Sequence, residues 1–143
     1  MLKRLHHVAI AVNDLDESVS LYERILGIKP SSIEDVPSQK LRAAVFEVGK
    51  EAEVEIELIQ PTEPDSVVAR FLRTHGQGLH HICFEVEEVD EELRELLENG
   101  IELINRQGRT GISGRIGFLH PESTHGVLIE LIQRETPREE KHL

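Results

Sequence analysis

The chain has 143 residues, enough for one domain with a hydrophobic core or for two small modules that share one. Its formal net charge of −11 and its aromatic content of 3% argue against a nucleic-acid partner, which needs basic and stacking residues. The sequence contains no apolar run of roughly 20 residues, no apolar signal-peptide core and a single cysteine, Cys83, so we expect a cytoplasmic protein without a membrane partner.

The first sixty residues predict a strand, a helix and three further strands. Residues 5–12 are apolar and rich in β-branched side chains, and apolar residues recur at helical spacing over residues 14–26. Asp14, with Glu17 three residues later, is a candidate capping box, and Gly27 stands where a C-cap glycine belongs. The three further strands are expected at residues 28–34, 41–48 and 53–60.

The rest of the chain repeats this order after a linking segment. Residues 65–76, which begin DSVVARFLRTH, predict a linker helix. A strand at 78–86 and a helix at 89–99 follow, with later strands near 101–105, 115–120 and 127–133. The glycine-rich segment GRTGISGR predicts a mobile loop at 108–115, and residues 135–143 form a charged tail that we expect to be frayed.

The two halves are copies of one another. LHHVAIAV at residues 5–12 recurs as LHHICFEV at 79–86, so His7 corresponds to His81. VEIELIQ at 54–60 recurs as VLIELIQ at 127–133, so Glu57 corresponds to Glu130. We therefore predict a single domain over 5–134, made of β-α-β-β-β module one (5–61), the linker helix (65–76) and β-α-β-β-β module two (78–134).

Strand alternation selects two histidines and two glutamates as a candidate metal site. His7 and His81 fall on the strand faces that carry small neighbours. Glu57 and Glu130 fall opposite the aliphatic residues of their strands, although Glu57 belongs to a run of alternating glutamates that is also typical of a solvated face. Two imidazoles and two carboxylates suit a divalent metal. By the same alternation His6 and His80 face the apolar side, as packed or edge histidines.

These residues resemble the vicinal oxygen chelate superfamily, which includes glyoxalase I, extradiol dioxygenases and bleomycin-resistance proteins. Within it, the segments LHHVAIAVNDLDESVSLYERILGI, GQGLHHICFEV and FLHPESTHGVLIELIQ are similar to those of methylmalonyl-CoA epimerases. The resemblance covers roughly residues 5–133. It implies an α+β fold in which the duplicated β-α-β-β-β modules form a half-open mixed β-barrel cleft, as in the glyoxalase and bleomycin-resistance proteins.

The resemblance also implies a metal-dependent isomerase. Such an enzyme interconverts the R and S epimers of methylmalonyl-CoA by removing the α-proton through a metal-stabilised enolate. The implied ligands are His7, Glu57, His81 and Glu130, and the implied cofactor is a divalent ion such as Co, Mn, Zn or Ni. The implied partners are a small acyl-CoA substrate and, by analogy, a second copy of the chain in a homodimer.

Epimerisation needs an acid and a base on opposite faces of the planar intermediate. Glu130 is the candidate for one of these catalytic groups. Some bacterial epimerases carry glutamate at the position of Ala43, and alanine cannot take a proton. Glu47, on the same predicted strand face, is the candidate for the second group; the alternatives are Glu57, a metal-bound water and a purely solvated role for Glu47.

The superfamily offers two alternative functions. A glyoxalase I-like lactoylglutathione lyase also removes an acidic proton, but from a thiol adduct. A non-catalytic drug- or ligand-binding member of the superfamily often lacks the metal ligands. Stoichiometric metal in the purified protein argues against the second alternative.

Overall fold

The computed structural model describes residues 2–111 and 113–134, and it combines strands and helices in the α+β manner that the sequence predicts. The elements of the first half are β1 (Leu2–Ala11), α1 (Leu15–Leu26), β2 (Ser32–Val36), β3 (Leu41–Val48), β4 (Val54–Pro61) and α2 (Val67–His75). Those of the second half are β5 (Gly78–Val86), α3 (Val89–Glu98), β6 (Arg109–Thr110), β7 (Gly114–Leu119) and β8 (Ile129–Arg134). Short 3-10 turns lie at Pro37–Gln39 and Pro121–Ser123.

The described chain divides into two compact units. The N-terminal unit is His7–His81, and the C-terminal unit combines residues 2–6 with the described residues from 82 onward. In the N-terminal unit the strand order is β2-β3-β4-β1, with β1 parallel to β4 and β3 antiparallel to both neighbours. In the C-terminal unit the order is β5-β8-β7-β6, with β5 parallel to β8 and β7 antiparallel to both neighbours. Each unit therefore carries the same strand plan.

Helix α1 begins and ends where the sequence predicts. The side chain of Asp14 accepts a hydrogen bond from the Glu17 backbone N–H at 3.0 Å. Gly27 adopts the left-handed conformation with a φ of 73°, and its N–H donates to the carbonyl of Glu23. A residue without a side-chain acceptor in place of Asp14 would stabilise the start of α1 less well. A residue with a Cβ in place of Gly27 would stabilise its end less well.

A glutamine caps the first helix of each copy. The Leu15 N–H, at the start of α1, donates to the side-chain oxygen of Gln60 at 2.6 Å. The Val89 N–H, at the start of α3, donates in the same way to Gln133 at 2.9 Å. The first N–H groups of a helix have no partner within the helix, so each glutamine satisfies one of them from the last strand of its own copy. The repeated IELIQ motif thus joins the last strand to the helix.

The N-terminal unit has an apolar layer on each face of its sheet. On one face α1 packs through Leu15 and Val19, and the cluster also contains Val12, Ala44, Phe46 and Leu58. On the other face α2 packs through Val68, and the cluster also contains Ala9, Ala11, Val36, Leu41, Ala43 and Ile59. The small residues of β1 therefore make room for helix α2 at Ala9 and Ala11.

The C-terminal unit has the corresponding two layers. Helix α3 packs through Val89 and Leu93 on one face, together with Val86, Leu119 and Leu131. The opposite face carries Cys83, Ile116 and Ile132, and Phe118 packs against them. Cys83 has no exposed surface.

Two sequence predictions about module two are wrong. The strand expected at residues 101–105 is reduced to an isolated bridge between Leu103 and Leu119. The segment 108–115 is not simply a loop, since Arg109–Thr110 pairs with β7 and Gly114 is the first residue of β7. Glycine suits that position because a Cβ on Gly114 would overlap the backbone of Gln133. Residues 112 and 135–143 lie outside the described residues.

No helix in the described part of the chain is long and apolar enough to cross a membrane.

A buried carboxylate pairs with three cations inside the C-terminal unit. Glu85 is 6% exposed. It contacts Lys3 Nζ at 3.3 Å, Arg4 Nε at 3.2 Å and Arg134 Nη1 at 3.8 Å. Burial alone raises the pKa of Glu85, but the Lys3 hydrogen bond and the charges of Arg4, Lys3 and Arg134 outweigh burial and hold the pKa below its ordinary value of 4.5.

Replacing this carboxylate should reduce stability in a pH-dependent way. We expect Glu85→Gln to lower the free energy of unfolding at pH 7 by about 2 kcal/mol, because three cations lose their anionic acceptor. Since the folded protein lowers this pKa, the contribution is present above the ordinary value of 4.5 and is lost as the pH falls through the folded-state value. Urea unfolding at pH 7 and at lower pH measures the difference.

The exposed neighbour Glu87 provides the matched control. Glu87→Gln should leave the free energy of unfolding within about 0.5 kcal/mol of the wild-type value. A Glu85→Gln deficit that stayed constant down to pH 3 would show that the ion cluster is not its cause.

Candidate metal centre

Two histidine side chains face each other inside the N-terminal unit. His7 lies on β1 and His81 on β5, and they are 5% and 8% exposed. Their Nε2 atoms are 3.2 Å apart, and the rings are inclined at 76°. Two nitrogen ligands of a tetrahedral zinc ion, with Zn–N bonds of 2.0–2.1 Å, lie about 3.3 Å apart. The two Nε2 atoms are therefore spaced like two ligands of one metal ion.

The second nitrogen of each imidazole has a polar neighbour in the same unit. Nδ1 of His81 lies 2.9 Å from Nδ1 of His80, which is hydrogen-bond distance. Nδ1 of His7 lies 3.4 Å from Oε2 of Glu57, which is longer than an ordinary N–H···O hydrogen bond. Both rings are thus contacted on the side away from the shared Nε2 position.

Two glutamates of β4 lie beside His7. In the parallel register His7 pairs with Glu55 and Ala9 pairs with Glu57, so both carboxylates share the face of His7. One ligand atom from each of His7, Glu55 and Glu57 lies within 4.8 Å of the other two. Glu57 shares the strand face of His7, as alternation predicts, and Glu55 is a further carboxylate on that face. In the sequence, Glu55 is marked only by lying on the same strand face as Glu57. The register of β4 against β1 is what places Glu55 beside His7.

Glu130 lies on β8 in the C-terminal unit and is 7% exposed. Its strand partners are Cys83 in β5 and Phe118 in β7. The next residue, Leu131, belongs to the opposite face, in the cluster packed by α3. The predicted alternation on this strand is therefore found, and Glu130 is a buried carboxylate that needs a compensating partner.

Glu47 is exposed and lies two strands away from His7. It pairs with Glu55 of β4, which in turn pairs with His7 of β1. Two strand spacings, about 9.5 Å, therefore separate the backbone of Glu47 from that of His7. Ala43 lies on the same face but is buried in the α2-covered layer. The structure places Glu57, and not Glu47, in contact with His7.

His80 is a packed histidine with contacts that strand alternation alone does not predict. The His80 ring makes an edge contact with Phe71 of α2, with centroids 4.9 Å apart, as well as its contact with His81. His80 therefore belongs to the surroundings of the candidate centre.

Comparison with known proteins identifies the family. Residues 6–118 match the glyoxalase/bleomycin resistance protein/dioxygenase superfamily. The chain belongs to this superfamily. Its mixed α+β architecture is the glyoxalase fold that the sequence predicts.

Several relatives of this chain are epimerases. Human mitochondrial methylmalonyl-CoA epimerase is 35% identical over 134 residues, covering 92% of this chain and 74% of that protein. The crystal structure of the Mycobacterium tuberculosis methylmalonyl-CoA epimerase gives a TM-score of 0.87 at 34% identity, covering 98% and 93% of the two chains. A methylmalonyl-CoA epimerase in complex with methylmalonyl-CoA and NH4+ gives 0.85 at 33% identity, covering 96% and 100%. This member of the superfamily is an epimerase-like isomerase.

Removing either facing histidine should abolish tight metal binding. We expect His7→Ala and His81→Ala each to weaken Co²⁺ binding by at least about 100-fold, since each change removes one of a few ligands. Titration of the metal-free protein, followed by the visible Co²⁺ spectrum, measures the affinity.

A second group of possible ligands, Glu102, His120 and Glu122, lies on the surface of the C-terminal unit and provides the control. His120→Ala should leave the tight Co²⁺ site unchanged. If the Co²⁺ spectrum disappeared in His120→Ala and stayed in His7→Ala, the metal would bind at the group of Glu102, His120 and Glu122 instead.

Proposed function

We propose that the chain is a metal-dependent methylmalonyl-CoA epimerase. The observation that supports this most directly is the 3.2 Å separation of the His7 and His81 Nε2 atoms, in a chain whose relatives carry that activity in their names. Buried imidazole nitrogens at this distance suit a shared divalent ion.

The proposed ligands are His7, Glu57, His81 and Glu130. The assignment of Glu130 rests on the duplication, because Glu130 takes the place in the second copy that Glu57 has in the first. The donor set of two imidazoles and two carboxylates suits Co, Mn, Zn or Ni. When bound, such an ion supplies positive charge that polarises the carbonyl oxygens of the substrate.

The protein side of the reaction is a pair of proton transfers. We assign Glu130 as one acid–base group, because a buried carboxylate beside a reacting carbon removes an α-proton efficiently. Glu47 and Glu57 are the candidates for the group on the other side of the planar intermediate. The geometry favours Glu57, because it contacts His7 at 3.4 Å whereas Glu47 is exposed on β3.

The proposed substrate is an acyl-CoA. Solved relatives are complexes with methylmalonyl-CoA and with 2-nitronate-propionyl-CoA, which supports a small acyl-CoA partner for this chain. A cytoplasmic location and a homodimer stay predictions, the first from the single Cys83 and the second from analogy with the superfamily.

Proton exchange tests the proposed reaction. The protein incubated with methylmalonyl-CoA in D2O should replace the α-proton by deuterium, and removal of the metal with a chelator should stop the exchange. Proton NMR of the α-position follows both experiments. Restoration by Co, Mn, Zn or Ni then identifies the ions that support activity.

Absence of exchange with every added ion would overturn the epimerase proposal. The same NMR assay with a hemithioacetal of glutathione then distinguishes a lactoylglutathione lyase from a non-catalytic binding protein. Only the lyase removes a proton from that substrate.

Conservative variants distinguish the two candidates for the second acid–base group. We expect Glu130→Gln and Glu57→Gln each to lower the rate of epimerisation by about 10²- to 10⁴-fold, and Glu47→Gln to change it less than about threefold. In a two-base mechanism, a variant with one base should still exchange the α-proton of one epimer without inverting it. Chiral analysis and deuterium content of the same sample separate the two events.

Metal content of each variant is the control, because Glu57 and Glu130 are also proposed ligands. A strong loss in Glu47→Gln at full metal content, with Glu57→Gln active, would assign the second role to Glu47 instead.

A further inference from the structure

The repeated Leu-His-His motif contains a second histidine in each copy that the proposed ligand set leaves unused. Building on the proposed metal-dependent function, we propose that His80 is a positioning residue that holds the ligand His81 in its metal-binding tautomer and orientation. His80 has this role through the contact between the two Nδ1 atoms at 2.9 Å. Neither the strand alternation nor the ligand pattern in the sequence assigns His80 such a role.

The chemistry of an imidazole ligand requires a partner for its other nitrogen. His81 Nε2 faces His7 Nε2 and therefore must offer its lone pair to the ion. A neutral imidazole with a lone pair on Nε2 carries its proton on Nδ1. That N–H must donate to an acceptor, and in metal sites such an acceptor fixes both the tautomer and the ring orientation. The atom at hydrogen-bond distance from His81 Nδ1 is Nδ1 of His80.

The surroundings of His80 hold its ring in place. The rings of His80 and His81 are inclined at 78°, with centroids 5.2 Å apart. The His80 ring also meets Phe71 edge-on, and Phe71 is stacked on His75 with centroids 4.7 Å apart. Phe71 itself packs against the apolar layer under α2. The acceptor nitrogen is therefore supported by the core and is not carried on a free surface side chain.

Helix α2 is consequently part of the support of the metal centre. Its N-terminus is fixed by the buried Ser66, whose hydroxyl oxygen accepts from the N–H groups of Val68 and Ala69. Phe71 lies one turn further along the helix. The contacts lead from the Ser66 cap through Phe71 to His80, and from there to His81.

Three substitutions separate the hydrogen bond from the packing. His80→Phe keeps a ring against Phe71 but removes the acceptor. His80→Asn places an acceptor oxygen close to the former position of Nδ1. His75→Phe is the matched control, because His75 stacks on the same Phe71 while its own Nδ1 contacts Thr74 and not His81.

The first readout is the affinity of the metal-free protein for Co²⁺, measured by titration and visible absorption. We expect His80→Phe to bind about 10- to 100-fold more weakly, the range for loss of a partner of a metal ligand. His80→Asn should remain within about threefold of the wild type, and so should His75→Phe. Circular dichroism and the urea midpoint of each variant establish that it is folded.

The second readout follows the His81 proton directly. In the zinc-loaded protein with ¹⁵N-labelled histidine, we expect the His81 Nδ1–H proton to be visible downfield because the hydrogen bond slows its exchange with water. The signal should persist in His80→Asn and in His75→Phe, and disappear in His80→Phe. A merely structural role of His80 does not produce this difference between folded variants.

The outcomes separate this proposal from the proposed function. A folded His80→Phe variant that binds Co²⁺ with wild-type affinity and keeps the Nδ1–H signal overturns the role of His80 while leaving the metal site intact. A wild-type protein that binds no Co²⁺ overturns both. A protein that behaves as expected in both readouts, but exchanges no α-proton of methylmalonyl-CoA, supports the role of His80 and overturns only the choice of reaction.

Discussion

Burial of two imidazoles against each other is the constraint on which the candidate centre depends. His7 and His81 are nearly removed from water. A buried polar nitrogen that lacks a hydrogen-bond partner lowers the stability of a folded protein by about 1–3 kcal/mol. Their Nε2 atoms can satisfy one another only through a shared proton or a shared ion. The adjacent strands β1 and β5 therefore have to hold both rings precisely, and the layers above and below those strands provide the rigidity.

The duplication supplies this rigidity twice by the same means. In each copy the last strand ends in a glutamine whose side chain satisfies the first N–H of the copy's own helix, through Gln60 and Gln133. The strand that carries the candidate carboxylate is thus fixed to the helix that covers the sheet. The cap therefore connects the strand of each candidate carboxylate, Glu57 or Glu130, to the helix of its own copy.

The sequence predicts the elements well and the contacts between them less well. Alternation, caps and the repeat identify the strands, α1, His7 and His81, because these depend on local chemistry and on internal comparison. Glu55 and His80 were not recognised as neighbours of the candidate centre, since the register of β4 against β1 and the contact of His80 with Phe71 are tertiary facts. The lost strand at 101–105 has the same origin, because Leu103 reaches β7 at a single bridge.

The two copies differ in the packing around their strands but agree at one glutamate in the last strand of each copy. The α2-covered layer of the first copy has Ala11 at the position where the second has Glu85 and its three cations, so the surrounding packing has diverged freely. The glutamates at 57 and 130 remain equivalent. The proposed epimerisation needs one proton-transfer group on each side of the α-carbon, and the duplication provides two carboxylates at equivalent positions. In this proposal Glu57 would supply the second carboxylate, so alanine at position 43 removes no group that the reaction requires.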